Sequence, residues 1–304
     1  MPKNLLFDIK RYAINDGPGI RITLFTKGCP LHCVWCHNPE GIALRKELLY
    51  TKKKCIGCQT CVETCPQGAL QLTPDGIVNN REKCLLCGKC VAECPTLALE
   101  MSGTEYTYDQ LMAEIEKETE VMDQSHGGVT FCGGEPLLQP EFLLEMLRRC
   151  GEKDIHRTVD TTLYARPELV KTVADNCELF LVDLKVMDSE KHRRYCGVPN
   201  ELILSNIRMV AEMGHSFWIR IPLIKGVNAD EENLEQSAAF LASLPWKEKK
   251  IDLLAYHDIG KNKHEKLRTT YNPEQIKMET PSEEEKEQAI SIFQKHGLNA
   301  SFGG

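Results

Sequence analysis

The sequence lacks a long hydrophobic run: it contains no stretch of 18 apolar residues, and residues 1–8 carry no apolar signal core. These absences argue against a membrane-spanning helix and predict a cytoplasmic protein. The chain also lacks a basic excess, because 37 lysines and arginines stand against 44 aspartates and glutamates, for a net charge of -7. A nucleic-acid-binding role, which needs a basic surface, is therefore not expected.

Cysteine, by contrast, is abundant, with 15 in 304 residues. In a chain without an export signal, clustered cysteines usually bind metal rather than form disulfides. Eleven fall into three regularly spaced groups. The other four are scattered and are interpreted as small buried apolar residues: Cys132, Cys150, Cys177 and Cys196. The length and the 42% hydrophobic content allow one large α/β domain with an inserted module, or two domains.

The first group, Cys29, Cys33 and Cys36, has the spacing Cys-x3-Cys-x2-Cys and follows a strand-like run at residues 20–25. Three thiolates so closely spaced can bind one iron–sulfur cluster. The nearby sequence offers no fourth cysteine, whereas an ordinary four-iron cluster has four, so one iron is left open to a ligand that the protein does not supply. A zinc knuckle is the alternative, since His37 could complete a tetrahedral site.

The other two groups form an internal repeat within residues 52–101, Cys-x2-Cys-x2-Cys-x3-Cys-Pro in each copy. This is the pattern of bacterial two-cluster ferredoxins, in which the fourth cysteine of each run binds the other cluster. A segment of about fifty residues has little core of its own, so we expect the clusters to hold it folded. The implied ligand sets are Cys55, Cys58, Cys61 with Cys94, and Cys84, Cys87, Cys90 with Cys65.

The first cysteine loop, with Trp35 directly before its third cysteine, resembles the radical S-adenosylmethionine (SAM) superfamily, where the open iron binds the amino and carboxylate groups of SAM. Residues 16–21, Asp-Gly-Pro-Gly-Ile-Arg, resemble a segment of glycyl-radical-enzyme activating enzymes, a branch of that superfamily. Turn chemistry explains the glycines and Pro18, but not the acid. The resemblance places Asp16 near a bound substrate peptide.

After residue 103 the pattern alternates between strands and helices. Thr107 with Gln110, and Ser282 with Glu285, have capping-box spacing, and Asp230 is a further helix cap. Such alternation predicts parallel strands joined by right-handed crossovers. The predicted helices include residues 107–118, 140–150, 167–174 and 201–213, and the predicted strands are residues 20–25, 129–131, 158–160, 179–185, 217–222 and 251–256.

About six β–α units are fewer than the eight of a closed barrel. The resemblance implies an α/β fold: an open partial (β/α)6 radical SAM barrel with an inserted two-[4Fe-4S] ferredoxin-like domain. We expect residues 1–51 to form the first part of the core with the cluster loop, residues 52–101 the insert, and residues 102–304 the remainder of the partial barrel.

Polar residues at the carboxyl ends of parallel strands are the usual functional positions in related barrels. Each has an ordinary explanation alone: a tight turn at Gly133 and Gly134, a cap at Asp160, a solvated strand end elsewhere. Because they follow successive strands, we expect them to lie together. The candidates are Cys29, Cys33, Cys36, Gly133, Gly134, Glu135, Asp160, Asp183, Lys185, Arg220 and His257.

The resemblance implies how these residues meet SAM. The loop of Gly133, Gly134 and Glu135 would offer backbone contacts to the amino group, which Asp160 would also contact. Asp160 and Asp183 would share a monovalent cation. The sequence departs from the family here, because residues 160–163 read Asp-Thr-Thr-Leu rather than Asp-Thr-Asn-Gly, which removes the side-chain contact expected from that Asn.

On the other side of the ligand, the resemblance assigns Lys185 and His257 to the SAM carboxylate. Asn38 and Asp183 would lie near the ribose, and Arg220 in the cofactor pocket. A zwitterionic sulfonium ligand needs both signs of charge around it, and this set of residues supplies both.

These features predict a radical SAM oxidoreductase of anaerobic metabolism that activates a glycyl radical enzyme. The resemblance implies three [4Fe-4S] clusters, SAM, a flavodoxin or ferredoxin-type electron donor, and a partner whose C-terminal glycine loop loses a Cα hydrogen to a 5′-deoxyadenosyl radical. Two alternatives remain open at this point: a radical SAM enzyme acting on a small metabolite, and a plain electron-transfer protein. Asp16 and its glycines argue against the first, and the missing fourth ligand argues against the second.

Overall fold

The computed structural model describes residues 4–303. Its strands, in chain order, are β1 (Leu5–Ala13), β2 (Arg21–Thr26), β3 (Glu47–Tyr50), β4 (Leu70–Thr73), β5 (Gly76–Asn79), β6 (Leu99–Ser102), β7 (Thr104–Glu105), β8 (Gly128–Gly133), β9 (Arg157–Thr161), β10 (Leu179–Asp183), β11 (Phe217–Leu223), β12 (Lys250–Ala255) and β13 (Asn299–Phe302).

The α-helices of the same residues lie mainly between the later strands. They are α1 (Thr60–Glu63), α2 (Lys89–Ala92), α3 (Tyr108–Glu116), α4 (Thr119–Ser125), α5 (Pro140–Gly151), α6 (Pro167–Ala174), α7 (Ser189–Cys196), α8 (Glu201–Glu212), α9 (Glu231–Ala242), α10 (Gly260–Leu267) and α11 (Glu283–Lys295). Each helix within residues 4–303 is too short or too polar to cross a lipid bilayer.

Nine strands form one sheet in the order β13-β12-β11-β10-β9-β8-β2-β1-β7. All neighbours from β2 to β13 are parallel, whereas β1 pairs antiparallel with β2 and β7. All six strands predicted from the sequence are present and parallel, which confirms the α/β prediction. The antiparallel strand β1, which lies between β2 and the edge strand β7, and the seventh parallel strand, β13, were not predicted; β13 is a short, polar strand with little apolar signal.

Local capping signals place the helix starts correctly. The Thr107 and Gln110 pair and the Ser282 and Glu285 pair both form complete capping boxes, and Asp230 accepts a hydrogen bond from the backbone N–H of Asn233. These contacts satisfy N–H groups that would otherwise lack partners. The helix predicted for residues 107–118 is wrong at its end, because α3 stops at Glu116 and a second helix, α4, follows.

Alternation along the strands separates a helix-covered face from a polar face. Phe180 and Val182 belong to the main hydrophobic core under the helices, while Leu181 and Asp183 point the other way. Since the carboxyl ends of parallel strands lie at one edge, polar side chains that follow them are brought together there.

The segment between β3 and β6 has a small hydrophobic cluster of its own, which includes Tyr50, Leu70, Ile77 and Leu99, and a two-stranded stalk leads to it. The stalk is the antiparallel pair β3 and β6, with Glu47 opposite Ser102 and Tyr50 opposite Leu99, and β4 with β5 forms a hairpin beyond it. The fully buried Lys27, one residue after β2, donates to Glu47 at 3.1 Å and to Ser102 Oγ at 3.4 Å. The stalk is thereby tied to the main sheet beside the cysteine loop.

Candidate active site

The Cys29 loop is held by backbone hydrogen bonds on two sides. Cys29 N–H donates to Ile42 at 2.9 Å, and His32 N–H donates to the carbonyl of Cys196 at 2.8 Å. Gly28 has a φ of +99°, and a Cβ there would lie 2.8 Å from Leu138, so the turn into the loop favours glycine. The loop is fixed before any ligand is bound.

Neighbouring thiols disfavour the ionisation of Cys29 and Cys36, whereas a hydrogen bond from Cys196 lowers the pKa of Cys33. Burial, and then neighbouring negative groups, raise the pKa of Cys29 far above its usual value and that of Cys36 to about 12. Bound iron would reverse this cost, because the thiolate is the metal ligand.

Cys196, interpreted from the sequence as an isolated buried residue, lies against Cys33. The two thiols are hydrogen-bonded, and the other main neighbours of Cys196 are Lys185 and Asp183 rather than Cys29 or Cys36. It is fully buried at the end of α7, a helix that the sequence did not predict. Cys196 therefore forms a hydrogen bond with Cys33 and does not complete a four-cysteine set.

Strand register places three charged candidates on one face of the sheet. Leu181 pairs with Asp160, and two residues later Asp183 pairs with Arg220. Arg220 Nη1 lies 2.8 Å from Asp160 Oδ2, and the thiol of Cys132 donates to the same oxygen at 3.0 Å. Burial raises the pKa of Asp160 to about 6, although the Arg220 charge opposes this shift. The interpretation of Cys132 as a buried apolar residue is therefore wrong, because it is only partly buried and its thiol makes a polar contact with Asp160.

Lys185 extends this row of charges toward the cysteine loop. Its Nζ lies 2.9 Å from Asp183 Oδ2, and Cys33 is a second negative neighbour. Burial acts to lower the pKa of Lys185, but Asp183 and the nearby thiolates raise it overall. Lys185 is accordingly a permanent cation between the strand ends and the loop.

Asp16 reaches the same face from the segment before β2. Its Oδ2 accepts a hydrogen bond from Thr23 at 2.8 Å, its carbonyl accepts one from Thr130 at 2.7 Å, and its charge acts on Asp160 and Arg220. The segment has no room for side chains at its tightest turn. A Cβ on Gly19, whose φ is +68°, would lie 2.5 Å from backbone atoms of Gly127 and Ser125.

The backbone amides of the loop after β8 are already hydrogen-bonded. Gly134 N–H donates to Thr26 at 2.8 Å and Glu135 N–H to Gly28 at 2.7 Å. With these donors occupied, the loop can offer acceptors, which suits an ammonium group. A Cβ on Gly134 would lie 2.3 Å from the Gly28 carbonyl oxygen, so only glycine permits this approach.

The Glu135 side chain does not enter the site. Its buried carboxylate accepts hydrogen bonds from Thr161 Oγ1 at 2.6 Å, from Thr162 Oγ1 at 2.6 Å and from Thr162 N–H at 2.9 Å. These bonds join the loops after β8 and β9. Thr162 occupies the position where the family usually has Asn, and its hydroxyl makes this contact with Glu135, which the sequence did not predict.

Asn38 and His257 lie beside the cysteine loop. The His257 ring stacks on His37 at 4.1 Å, and His37 Nε2 is 2.9 Å from the His257 carbonyl oxygen. Burial, and then His257, lower the pKa of His37 to about 4, so it is neutral. Lys263 on α10, a helix absent from the prediction, donates to Asn38 Oδ1 at 2.8 Å and pairs with Glu40 at 2.8 Å.

The insert cysteines line two small cavities. Each cavity takes three cysteines from one copy of the repeat and the fourth from the other, as in the crossed sets expected from the sequence. We call them the Cys55 set and the Cys84 set. The first contains Cys55, Cys58, Cys61 and Cys94, and the second contains Cys65, Cys84, Cys87 and Cys90.

Comparison with known proteins identifies the family. Residues 23–238 match the model of the Radical SAM superfamily. This chain belongs to that superfamily. It is 42% identical over 301 residues to trans-4-hydroxy-L-proline dehydratase activating enzyme from Clostridioides difficile, with 99% of each chain covered. It is 36% identical over 307 residues to indoleacetate decarboxylase activating enzyme from Tractidigestivibacter scatoligenes, with 97% of this chain and 96% of the relative covered.

A solved structure agrees with this assignment. The crystal structure of a domain of pyruvate-formate lyase-activating enzyme from Bacteroides vulgatus matches with a TM-score of 0.51 and 57% sequence identity, covering 59% of this chain and 99% of that chain. Within the radical SAM superfamily the protein is therefore a glycyl-radical-enzyme activating enzyme, an oxidoreductase that uses a [4Fe-4S] cluster and SAM.

The chemistry of this activating enzyme fits the residues at the strand ends. A [4Fe-4S] cluster and SAM, when bound, supply the reductive cleavage to methionine and a 5′-deoxyadenosyl radical, which takes a Cα hydrogen from a glycine of the partner enzyme. The protein supplies three cysteines in a fixed loop and, beside them, charges of both signs on a buried face. Such charges, excluded from water, orient a zwitterion more strongly than exposed ones would.

Proposed function

We propose that this activating enzyme binds the SAM amino group between Asp160 and the carbonyls of Gly133, Gly134 and Glu135. The observation that carries this proposal is the orientation of Asp160. Both of its hydrogen bonds, from Cys132 and Arg220, go to Oδ2, so Oδ1 is left for a ligand. The amides of Gly134 and Glu135 are already hydrogen-bonded within the protein, so this loop has acceptors rather than donors left for the ammonium group.

On the carboxylate side of the ligand, Lys185 and His257 are the proposed contacts. Lys185 lies next to Cys33, which would hold the cluster, and the stacked His257 is fixed beside His37. Asn38 and Asp183 would contact the ribose. Arg220 would line the pocket while it orients Asp160.

A shared monovalent cation between Asp160 and Asp183 remains part of the proposal. The two carboxylates are close enough that the negative charge of Asp183 raises the pKa of Asp160. A cation between them would relieve this repulsion in the buried site.

The proposed architecture is an open partial (β/α)6 barrel with a ferredoxin-like insert. The core would comprise residues 1–51 and 102–304, and residues 52–101 the insert. The order of the nine-stranded sheet, in which β13 and β7 stand at opposite edges, supports an open sheet. The crossed cysteine cavities support two further [4Fe-4S] clusters, for three in all.

The insert would relay electrons from a flavodoxin or ferredoxin-type donor to the Cys29 loop. The contacts between the insert and the core support this role. Besides the buried Lys27 and Glu47 pair, Arg81 donates to the Leu267 carbonyl at 2.6 Å, and Arg268 donates to the Ile77 carbonyl. Such contacts would keep the distance between clusters constant. The partner's C-terminal glycine loop would enter beside Asp16.

The test measures SAM cleavage and radical transfer separately. Anaerobically reconstituted protein, reduced with dithionite, should convert SAM to equimolar methionine and 5′-deoxyadenosine, and adding a glycyl radical enzyme should produce a glycyl radical signal in electron paramagnetic resonance. A fully iron-loaded protein that forms no 5′-deoxyadenosine would contradict the proposal. Cleavage of SAM without a radical on any glycyl radical enzyme would favour the small-metabolite alternative.

A further inference from the structure

The side chain of Asn38 is not used in the way that its backbone position suggests. Asn38 is the N-cap of the short 3-10 helix Pro39–Gly41, and an asparagine at this position usually accepts a hydrogen bond from the first turn. Here no side-chain cap bond is made, and the turn is closed by the backbone alone, since Gly41 N–H donates to the Asn38 carbonyl at 2.8 Å. The Asn38 amide therefore serves another contact.

That contact is with Lys263 on α10. Lys263 Nζ donates to Asn38 Oδ1 at 2.8 Å and also pairs with Glu40 at 2.8 Å. An ammonium group carries donors and no acceptor, so only the oxygen of the amide can face it. The contact therefore determines the direction of the Asn38 amide: Oδ1 lies toward α10, and Nδ2 lies on the other side with its two N–H donors.

The Nδ2 donors of Asn38 are available to a ligand. Within residues 4–303 no hydrogen bond from Asn38 Nδ2 is found, and the residue is only partly buried. Its backbone N–H donates to the thiol of Cys36, so the residue lies directly beside the cysteine loop. An unused pair of donors at this place is suited to a ligand that lies next to the cluster.

The helix that carries Lys263 is fixed against the cysteine loop. At its first residue, Gly260, a Cβ would lie 2.6 Å from the carbonyl oxygen of Cys36, so only glycine permits this approach. One turn later His264 is buried, and its Nδ1 lies 2.9 Å from Thr269 Oγ1. Because α10 is held in this way, Lys263 has a defined position relative to Asn38.

A second lysine holds the same segment from the opposite side. The fully buried Lys27 donates from Nζ to the backbone carbonyl of Glu40 at 2.5 Å, while the Glu40 side chain pairs with Lys263. Residues 38–40 are thus bound both to the main sheet and to α10. With the backbone fixed by these contacts, the bond from Lys263 determines the remaining freedom, which is the rotation of the Asn38 amide.

We propose that Lys263 is a positioning residue that holds the Asn38 amide with Nδ2 toward SAM, where it donates a hydrogen bond to a ribose hydroxyl oxygen. Asp183, the other proposed ribose contact, is a carboxylate and only accepts. A hydroxyl that donates its proton to Asp183 can only accept from Asn38, so the amide must present Nδ2. Turned over, the amide would place a second acceptor against the same hydroxyl. The inference rests on the proposed contact between Asn38 and the ribose.

The test measures equilibrium binding of SAM and of its 2′-deoxy and 3′-deoxy analogues to iron-loaded protein without reductant. In the parent, one analogue should bind about threefold to tenfold more weakly than SAM, the effect of losing one hydrogen bond. Lys263→Met keeps the length of the side chain but has no donor, and it should reduce this ratio to less than about twofold. Lys263→Arg, which keeps a charged donor, should retain most of the ratio.

Two further variants separate this effect from a general loss of charge. Lys261→Met removes an exposed lysine of the same helix and should keep the parent's ratio. Lys263→Met also leaves Glu40 without its partner, so it is combined with Glu40→Gln, which removes the unpaired charge. The ratio should remain below about twofold in the combined variant. A return to the parent's ratio there would assign the effect to Glu40 and overturn the inference.

The variant Asn38→Ala separates failure of the inference from failure of the ribose contact itself. Asn38→Ala should lose the discrimination between SAM and the deoxy analogue, as Lys263→Met does. If Asn38→Ala loses it and Lys263→Met keeps it, Lys263 does not position the amide. If Asn38→Ala keeps the parent's ratio, or if the parent binds SAM and both analogues equally, the proposed contact of Asn38 with the ribose fails, and the role of Lys263 with it.

Discussion

The thiol of Cys132 donates a hydrogen bond to Asp160 Oδ2 at 3.0 Å, on the oxygen that also accepts Arg220 Nη1 at 2.8 Å. With both donors on Oδ2, Oδ1 is left for the proposed ligand. Cys132 thus acts as a positioning residue for a carboxylate on the neighbouring strand. Serine would make the same bond, since its hydroxyl is also a donor.

Replacing Cys132 tests this arrangement. Cys132→Ala should weaken SAM affinity about twofold to tenfold, the effect of losing one neutral hydrogen bond, whereas Cys132→Ser should bind SAM as the parent does. Equilibrium binding of SAM to iron-loaded protein is the measurement. Cys150→Ala, which alters a buried cysteine of the helix core, is the control. Equal affinities for the Ala and Ser variants would rule out the hydrogen bond as the cause.

Asp160→Ala should have a larger effect. Loss of a charge-assisted contact to the SAM amino group costs roughly 1.5 to 3 kcal/mol, or about tenfold to over a hundredfold in affinity. Iron content should not change, because Asp160 is not a cluster ligand. Asp109→Ala, a change in a surface carboxylate paired with Arg149, should leave affinity unaltered. Unchanged SAM binding by Asp160→Ala would remove Asp160 from the site.

The affinity for SAM should depend on pH through Asp160. Burial raises the pKa of this carboxyl to about 6, so the folded protein holds its proton more tightly than the unfolded chain does. Ionisation of Asp160 therefore costs stability as the pH rises from about 4 through 6. The ligand's ammonium needs the ionised form, so SAM affinity should fall as the pH drops from 7.5 to 5.5. Asp160→Asn should abolish this dependence; the same slope in that variant would assign it to another group.

The number of clusters can be counted. Three four-iron clusters require about twelve irons per chain after anaerobic reconstitution. A variant with Cys58→Ala and Cys87→Ala, one ligand from each insert set, should lose most of eight irons and retain about four at the Cys29 loop. Saturation of the parent near four irons with the insert folded, or zinc in place of iron, would contradict the ferredoxin-like assignment.

Glu135 should matter for stability rather than for ligand charge. Its carboxylate accepts three hydrogen bonds from Thr161 and Thr162 and one from the Leu137 amide. Glu135→Ala would leave several buried donors without partners, at about 1 to 3 kcal/mol each, and should lower the free energy of unfolding markedly. Glu135→Gln, which keeps an acceptor oxygen, should cost less. Denaturant unfolding under anaerobic conditions distinguishes the two.

Much of the fold was predictable because its signals are local. The six apolar strands, the capping boxes at Thr107 and Ser282 and the cap at Asp230 depend on residues within a few positions of one another. The helices α7 and α10 escaped prediction for the opposite reason. Their sequences are polar, and they are stabilised by contacts with the cysteine loop, such as His32 with Cys196 and Lys263 with Asn38.

The sequence by itself determined which chemistry this protein performs, because the cysteine spacings and the Asp16 segment carry that information in consecutive residues. The tertiary structure alone decided how the site is assembled. It brings Cys196 within hydrogen-bonding distance of Cys33, and Thr162 within hydrogen-bonding distance of Glu135. The members of each pair are far apart in the chain. Thr162 meets Glu135 because parallel strands bring their carboxyl ends to one edge of the sheet, and Cys196 meets Cys33 because the end of α7 is hydrogen-bonded to the cysteine loop. No local pattern encodes such a meeting, since it depends on the register of strands packed between helices.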